Sequence, residues 1–350
     1  MSSRRIWLVF AVLVVASVLA IDLTAPAAEA PSVAAKLSHH LHRGFRNTDP
    51  GYAYTMSGRA AKLLARTFEG WPARGKPLAA VSNDGAELRA NGVAPTVTWI
   101  GHSTFLVQLA GVNILTDPHW GDRASPIAFA GPRRLVAPGM RFEDLPPIHA
   151  VIISHDHYDH LDAGTVERLA RDHAPTFFVP LGLRAWLLDH GARDVVELDW
   201  WEGRDFRGLR FTCTPAQHSS GRTLTDQNLR LWASWVVAAP QHRLFFAGDS
   251  GYYAGFKEIG QRLGPFDLAA IPIGGYSAYD RRHPNHVNPE EALQVFEDVR
   301  AKLMVPMHWG TFELNREPFQ EPPERLLREA VRRGLEERVA LLSPGQSIHW

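Results

Sequence analysis

Cysteine is almost missing from this chain: Cys213 is the only one in 350 residues. A lone thiol excludes an intramolecular disulfide framework and any metal site built from several thiolates. Its neighbours, "LRFTCTP", read as a buried strand, so Cys213 is expected as a small core residue. Net charge is missing too. Lys plus Arg and Asp plus Glu number 37 each, so no basic field attracts nucleic acid, and none is expected as a partner. The basic pairs Arg133/Arg134 and Arg281/Arg282 are expected to be solvated loop charges. A membrane-length apolar run is also lacking. The run "IWLVFAVLVVASVLAI" has 16 residues, broken only by Ser17. As a helix it would span roughly 24 Å, short of a hydrocarbon core of about 30 Å.

What surrounds that run is informative. "MSSRR" precedes it, and Ala25-Pro26-Ala27 and Ala28-Glu29-Ala30 follow as small-x-small cleavage candidates. Residues 1–30 therefore read as a signal peptide or N-terminal membrane anchor, with the body outside the cytoplasm, on the periplasmic side in a bacterium. "SRRIWL" is also faintly similar to a twin-arginine export signal. Residues 31–94, rich in Ala, Gly, Pro and Arg, read as an extension packed on the core, with one helical stretch near Gly58 to Phe68. The cluster His39, His40 and His42 is expected to belong to a flexible segment after the leader.

Regular structure sharpens at Pro95, where a domain running to residue 350 is expected to begin. "TVTWIGHSTFLVQLAGVNILTDP" holds three strand patterns, the last two joined through Ala110-Gly111, which indicates antiparallel pairing. Residues 120–147 form a long Gly/Pro/Ala-rich segment, and loops of that length are usually functional or disordered. Beyond it, "HAVIIS", "PTFFVP", "VVEL", "LRFTCTP", "LWASWVVAA", "RLFFAGD", "DLAAIPI" and "KLMVPMHWG" read as strands. Helices are predicted at "GTVERLARDH" behind an Asp162 cap, at "LGLRAWLLDHG", at "AGFKEIGQRL", and at "NPEEALQVFEDVR" behind an Asn288 cap. Mixed strands with interspersed helices, and 45% hydrophobic residues to fill a core, give an α/β or α+β sandwich.

Chemistry concentrates in residues 155–160, "HDHYDH". His155 and His157 follow an extended strand, where positions i and i+2 face one way, so both can reach one ion. Asp159 and His160 come after a turn and can serve a second ion nearby. Three other strand patterns end on His218, Asp249 and His308. Paired metals about 3.5 to 4 Å apart need one bridging carboxylate and about three further ligands each, and these residues supply that number. Nitrogen and carboxylate donors without thiolate suit zinc, with iron or manganese compatible. His102 in "GHST" is expected to be structural.

"HDHYDHLD" with downstream His, Asp and His resembles the metallo-β-lactamase superfamily, an αββα sandwich. "TWIGHST", "LTDP", "GPRR", "ISHDHYDHLD", "ELDWWE", "QHSSGRTLTDQN", "FFAGDSGY", "HVNPEEA" and "HWGTFEL" resemble, within it, the N-acylphosphatidylethanolamine-hydrolysing phospholipase D family, from about Phe45 to Gln346. The resemblance implies two zinc ions, one held by His155, His157 and His218, the other by Asp159, His160 and His308, with Asp249 bridging. It assigns Asp249 and His286 to catalysis, Tyr158 and His286 to substrate contact, and Asp117 to orienting the metal-binding loop. It implies cleavage of N-acylphosphatidylethanolamine to N-acylethanolamine and phosphatidic acid by a hydroxide shared between the metals. The implied partners are the phospholipid and a membrane surface, and a homodimer is compatible with it. Trp120, Ile127 and Phe129 are candidates for an apolar path for lipid. The competing reading is a lactonase or soluble-phosphodiester hydrolase on the same scaffold.

Overall fold

The computed structural model describes residues 38–49, 78–276, 284–312, 314 and 317–350. The expected leader, the helical stretch near Gly58 and the Arg281/Arg282 pair lie outside them. Strands β1 (Thr96–Gly101), β2 (Thr104–Leu109) and β3 (Val112–Thr116) pair antiparallel as expected, with Val97 opposite Val107 and Leu109 opposite Val112. Both residues of the Ala110-Gly111 connection have positive φ, 48° and 78°, the twist that suits a two-residue hairpin. Parallel strands β4 (Ala150–Ile152), β5 (Thr176–Pro180) and β6 (Asp194–Leu198) extend this sheet, and β13 (Ser347–His349) closes its other edge on β1. A second sheet runs in the order β12-β11-β10-β9-β8-β7. Its strands are β7 (Gly203–Phe206), β8 (Leu209–Thr214), β9 (Ser234–Ala238), β10 (Arg243–Phe246), β11 (Phe266–Pro272) and β12 (Ala301–Met307).

Side-chain alternation sorts each strand between two cores. In the first sheet Ile114, Ile152 and Phe178 face inward to the second sheet, where Phe178 stacks on Phe211 with ring centroids 4.1 Å apart. Their neighbours Leu115, Val151 and Phe177 face outward to Val166 and Leu169 of the helix Ala163–Asp172 and Leu187 of the helix Arg184–Asp189. Each fully buried large side chain contributes roughly 1.5–3 kcal/mol. On the far side, Leu293 and Phe296 of the helix Pro289–Asp298 pack on the second sheet. The layers are therefore helix, sheet, sheet, helix, as the resemblance implies. Cys213 is fully buried between the sheets.

Helix starts follow local chemistry. Asp162 accepts from the Thr165 N–H, and Asn288 and Glu291 form a reciprocal capping box ahead of Pro289. The helix Glu321–Arg333 is not in the sequence reading, because Pro322 and Pro323 look like breakers. They sit in its first turn, where their missing N–H groups cost nothing. Among the described residues no helix is long and apolar enough to cross a membrane.

Two expectations need correction. His39 is buried, not part of a flexible tail. His39 and His40 each donate from Nε2 to a separate oxygen of Asp199, both at 2.7 Å, and His39 stacks on Trp200. Arg134 is no solvated charge either. Its guanidinium donates to the carbonyls of His119 and Gly121 and lies 4.5 Å from the Phe312 ring centroid, pinning the long loop to the body. Burial lowers its pKa to about 10.

Candidate metal centre

The loops that leave the ends of β4, β8, β10 and β12 meet on one rim of the sandwich. β4 ends at Ile152, and His155 follows three residues later, outside any strand; residues 157–160 then form a turn. Two bonds from the other sheet fix the stretch between: the Trp235 indole donates to Ile153 O at 2.8 Å and the Ala233 N–H to Ser154 O at 2.9 Å. His218 lies beyond the end of β8 at Thr214, Asp249 beyond the end of β10 at Phe246, and His308 directly after β12. His155, His160, His218, Asp249 and His308 are all buried, at 0 to 3% exposure, so such polar groups need partners.

Hydrogen bonds set the tautomers. Asp117 accepts from the Ser154 N–H at 2.7 Å, the Ser154 hydroxyl at 2.6 Å and His160 Nδ1 at 2.7 Å. With its proton donated to Asp117, the Ser154 hydroxyl accepts from His155 Nδ1 at 2.9 Å. His218 Nδ1 donates to Asn285 O at 3.0 Å. Each bond puts a proton on Nδ1 and turns Nε2 toward the rim. Asp117 thus ties the backbone and hydroxyl of Ser154 to the His160 ring. His157 is the exception in presenting Nδ1, 2.8 Å from His155 Nε2 and 3.2 Å from His218 Nε2. Strand alternation cannot show that difference, because it says nothing of which ring nitrogen faces the ion.

The atoms fall into two groups that share one carboxylate. His155, His157 and His218 form the first. In the second, Asp159 Oδ2 lies 3.3 Å from His160 Nε2 and 3.4 Å from His308 Nε2. Asp249 Oδ2 serves both, at 3.2 Å from His160 Nε2, 3.0 Å from His308 Nε2 and 3.8 Å from His218 Nε2. Ligands on a tetrahedral zinc with bonds near 2.1 Å stand roughly 3.4 Å apart, which these separations match. Oδ1 of Asp249 is buried without a hydrogen-bond partner, a costly arrangement that a bound cation resolves. The donor set therefore fits a pair of divalent ions. The cluster of His39, His40 and Asp199 differs: its contacts are two ordinary hydrogen bonds to separate oxygens.

Electrostatics divide the rim. Burial drives His155 well below the usual imidazole range and His218 down to about 3. Burial acts the same way on His160 and His308, but the carboxylates around them overcome it. His160 is held well above the usual range, chiefly by Asp249 and Asp159, and His308 rises to about 9. Burial would raise Asp159 and Asp249, yet the imidazoles facing them keep both well below the carboxylate range.

His102 is more involved than the sequence suggests. Its Nε2 donates to Asp159 Oδ2 at 3.0 Å, burial lowers its pKa to about 3, and its carbonyl accepts from the His308 N–H at 3.1 Å. It aligns a candidate ligand carboxylate, and only the tertiary fold reveals that. His102, Asp117 and His308 also have φ of 52°, 35° and 61°, a left-handed backbone unusual for such side chains. At Gly275, φ 87°, an added Cβ would lie 2.8 Å from His286 Nδ1, so glycine lets the chain pass close behind that ring.

The remaining expected residues are less buried than the ligand cluster. His286 Nδ1 is 3.7 Å from Asp249 Oδ2, and its side chain is 17% exposed. The Tyr158 hydroxyl donates to Arg222 O at 3.0 Å while its ring lies under the Arg222 guanidinium at 4.0 Å. Arg222 in turn donates to Asp156 O and Leu161 O, and Asp156 pairs with Arg230 at 2.9 Å, so residues 221–230 brace the ligand loop. Trp120 turns inward, donating to Met140 O and packing on the outer core, so it is not part of an open lipid path. Phe129, 69% exposed, remains at the surface.

Residues 112–309 match the family model described as beta-lactamase superfamily domain. An uncharacterised protein of Mycobacterium tuberculosis is 41% identical over 337 residues, 93% of this chain and 88% of that one. An N-acyl-phosphatidylethanolamine-hydrolyzing phospholipase D of Caenorhabditis elegans is 45% identical over 241 residues, 65% of this chain and 68% of that one. The isothiocyanate hydrolase from Delia radicum gut bacteria shares the fold, with a TM-score of 0.59 at 22% identity, covering 73% of this chain and 99% of that one. The layered sandwich, the rim of histidines and carboxylates and these relatives agree: the chain belongs to the metallo-β-lactamase superfamily and is a metal-dependent hydrolase.

Proposed function

We propose that the chain is a zinc-dependent phosphodiesterase of phospholipase D type that hydrolyses N-acylphosphatidylethanolamine to N-acylethanolamine and phosphatidic acid. The observation that carries this reading is the shared oxygen, Asp249 Oδ2, placed 3.0 to 3.8 Å from ligand nitrogens of both groups. The substrate class comes from the Caenorhabditis elegans relative, whose name assigns that activity to it. His155, His157 and His218 would hold one ion and Asp159, His160 and His308 the other, with Asp249 between them. Zinc is chosen because the donors are imidazole and carboxylate without thiolate. Bound there, a pair of such ions supplies Lewis acidity toward phosphoryl oxygens and lowers the pKa of water toward neutrality.

The protein's own groups have separate tasks. Asp249 stays ionised and fixes the spacing of the two groups, taking no proton. His286, the more accessible imidazole beside it, contacts the phosphodiester. Tyr158 has committed its proton to Arg222 O, so donation to a substrate oxygen requires exchange of that bond. In the reaction the oxygen of water joins phosphorus, the P–O bond to the ethanolamine side breaks, and the departing alcohol takes up a proton. Phe129 is proposed to touch the lipid surface. Phe129→Asp should then slow turnover on vesicles and leave a soluble phosphodiester unaffected; equal rates on vesicles would remove that role.

Purified, metal-analysed protein incubated with N-acylphosphatidylethanolamine, a lactone panel and a soluble phosphodiester tests the reading. Phosphatidic acid plus N-acylethanolamine is the expected outcome. Diacylglycerol would place cleavage on the other side of phosphorus, and turnover confined to lactones would replace this function with the competing one.

A further inference from the structure

The N-terminal segment 38–49 reaches the rim at Asn47. Asn47 Nδ2 donates to His218 O at 2.8 Å, and the His218 N–H donates to Asn47 Oδ1 at 3.0 Å. The same Oδ1 accepts from the Trp232 indole at 3.1 Å. β8 has ended at Thr214, so His218 lies past its last strand partner. The asparagine amide, with a donor and an acceptor side by side, supplies both bonds that a neighbouring strand would have given. His218 is thus held from two directions, its backbone by Asn47 and its ring by Asn285 O.

The segment itself is fastened at several points. The two histidine bonds to Asp199 anchor its start, the Arg46 N–H donates to His39 O, the Phe45 N–H donates to Asn228 O at 2.8 Å, and the Phe45 ring is buried in the main core. Asp159, His160 and His308 depend on other supports. Asp117 orients His160, and His102, itself held by Thr311, bonds Asp159 and the His308 backbone.

We propose that this strap is a working part of one half of the metal centre. Asn47 is a positioning residue for His218, so docking of residues 38–49 and metal capture by His155, His157 and His218 form one coupled equilibrium. This rests on the metal reading given above. Coupling is reciprocal: a docked strap tightens that half, and metal in that half holds the strap down.

Zinc titration of metal-stripped full-length protein against a competing chelator tests it, together with hydrogen exchange of the strap. In Asn47→Ala, one of two affinities should fall about 10- to 100-fold, as for other groups that orient a ligand, while the second stays within about twofold. Zinc should slow exchange across 38–49 in the wild type and not in Asn47→Ala. If Asn47→Ala does not fold, the double variant His39→Ala/His40→Ala, altered only at the far anchor, should show the same one-sided loss at smaller size. Two unchanged affinities, equal losses at both, or strap exchange indifferent to zinc would overturn the proposal. A wild type that binds no zinc would sink the metal reading as well, and so is distinguishable from failure of the strap alone.

Discussion

The two halves of the rim use the same kinds of residue but hold different protonation states. His155 and His218 are steered by neutral partners, a serine hydroxyl and a backbone carbonyl, and burial makes them neutral bases. His160 and His308 face Asp249 and Asp159, with Asp117 behind His160, and retain protons despite equal burial. What separates the halves is the number of carboxylates within reach. One half is ready for a cation at neutral pH; the other must first release protons.

The largest expected effect erases the contrast. Asp249→Asn removes the charge common to both halves and should lower metal content at each. With several kcal/mol of charge stabilisation lost, turnover should drop at least about a thousandfold. Elemental analysis beside product assay checks this, and normal metal content would refute the shared-ligand assignment.

A pH series sharpens the contrast. Zinc binding to stripped protein at pH 7.5 should release protons from the half that holds His160 and His308, and none from His155 or His218. Calorimetry in buffers of different ionisation enthalpy counts them. Folded His308 has its pKa raised from 6.5 to about 9, so its contribution to metal-free stability is fully present below 6.5 and is lost as pH rises through about 9. His218, lowered from 6.5 to about 3, acts oppositely: its contribution is lost as pH falls below 6.5 toward about 3. Melting curves of the metal-free protein should therefore fall away on both sides of the region near pH 6.5.

Asp117→Asn should cost about 10- to 100-fold in metal affinity, with the larger loss in the half containing His160, which Asp117 touches directly. An equal loss in both halves would mean that Asp117 acts through Ser154 instead. Smallest of all, Tyr158→Phe removes one hydrogen bond, a net effect near 1 kcal/mol, and should raise KM up to about fivefold. Metal content of both halves should be unchanged. Any loss of metal would show that Tyr158 braces the ligand loop through Arg222.

Much of this was legible in the chain. Strand patterns at β1 to β6 and β8 to β12 stood out because alternating or continuous apolar runs mark half- or fully buried strands, and the ligand residues follow on four of those patterns, β4, β8, β10 and β12. Asn288 and Asp162 announced their helices through capping chemistry. The helix Glu321–Arg333 did not, since prolines stop a helix everywhere except its first turn. His39, His102 and Asn47 were beyond reach for another reason. Their partners, Asp199, Asp159 and His218, are 160, 57 and 171 positions away, and no local rule links residues so distant. Arg134 misled because a basic pair in a Gly/Pro-rich stretch looks solvated until the loop folds back around it.

The left-handed backbone at His102, Asp117 and His308 has a consequence for selection. An L side chain in that conformation costs roughly 1–2 kcal/mol, which glycine, or in part asparagine, relieves. At His102 such a change would also remove a buried ring nitrogen, Nδ1, that lacks a hydrogen-bond partner. Thermal tolerance and turnover therefore pull in opposite directions at this position. A library screened for heat resistance alone would drift toward sturdier, inactive proteins, and the positions where such changes gathered would outline the reactive rim without any knowledge of its substrate.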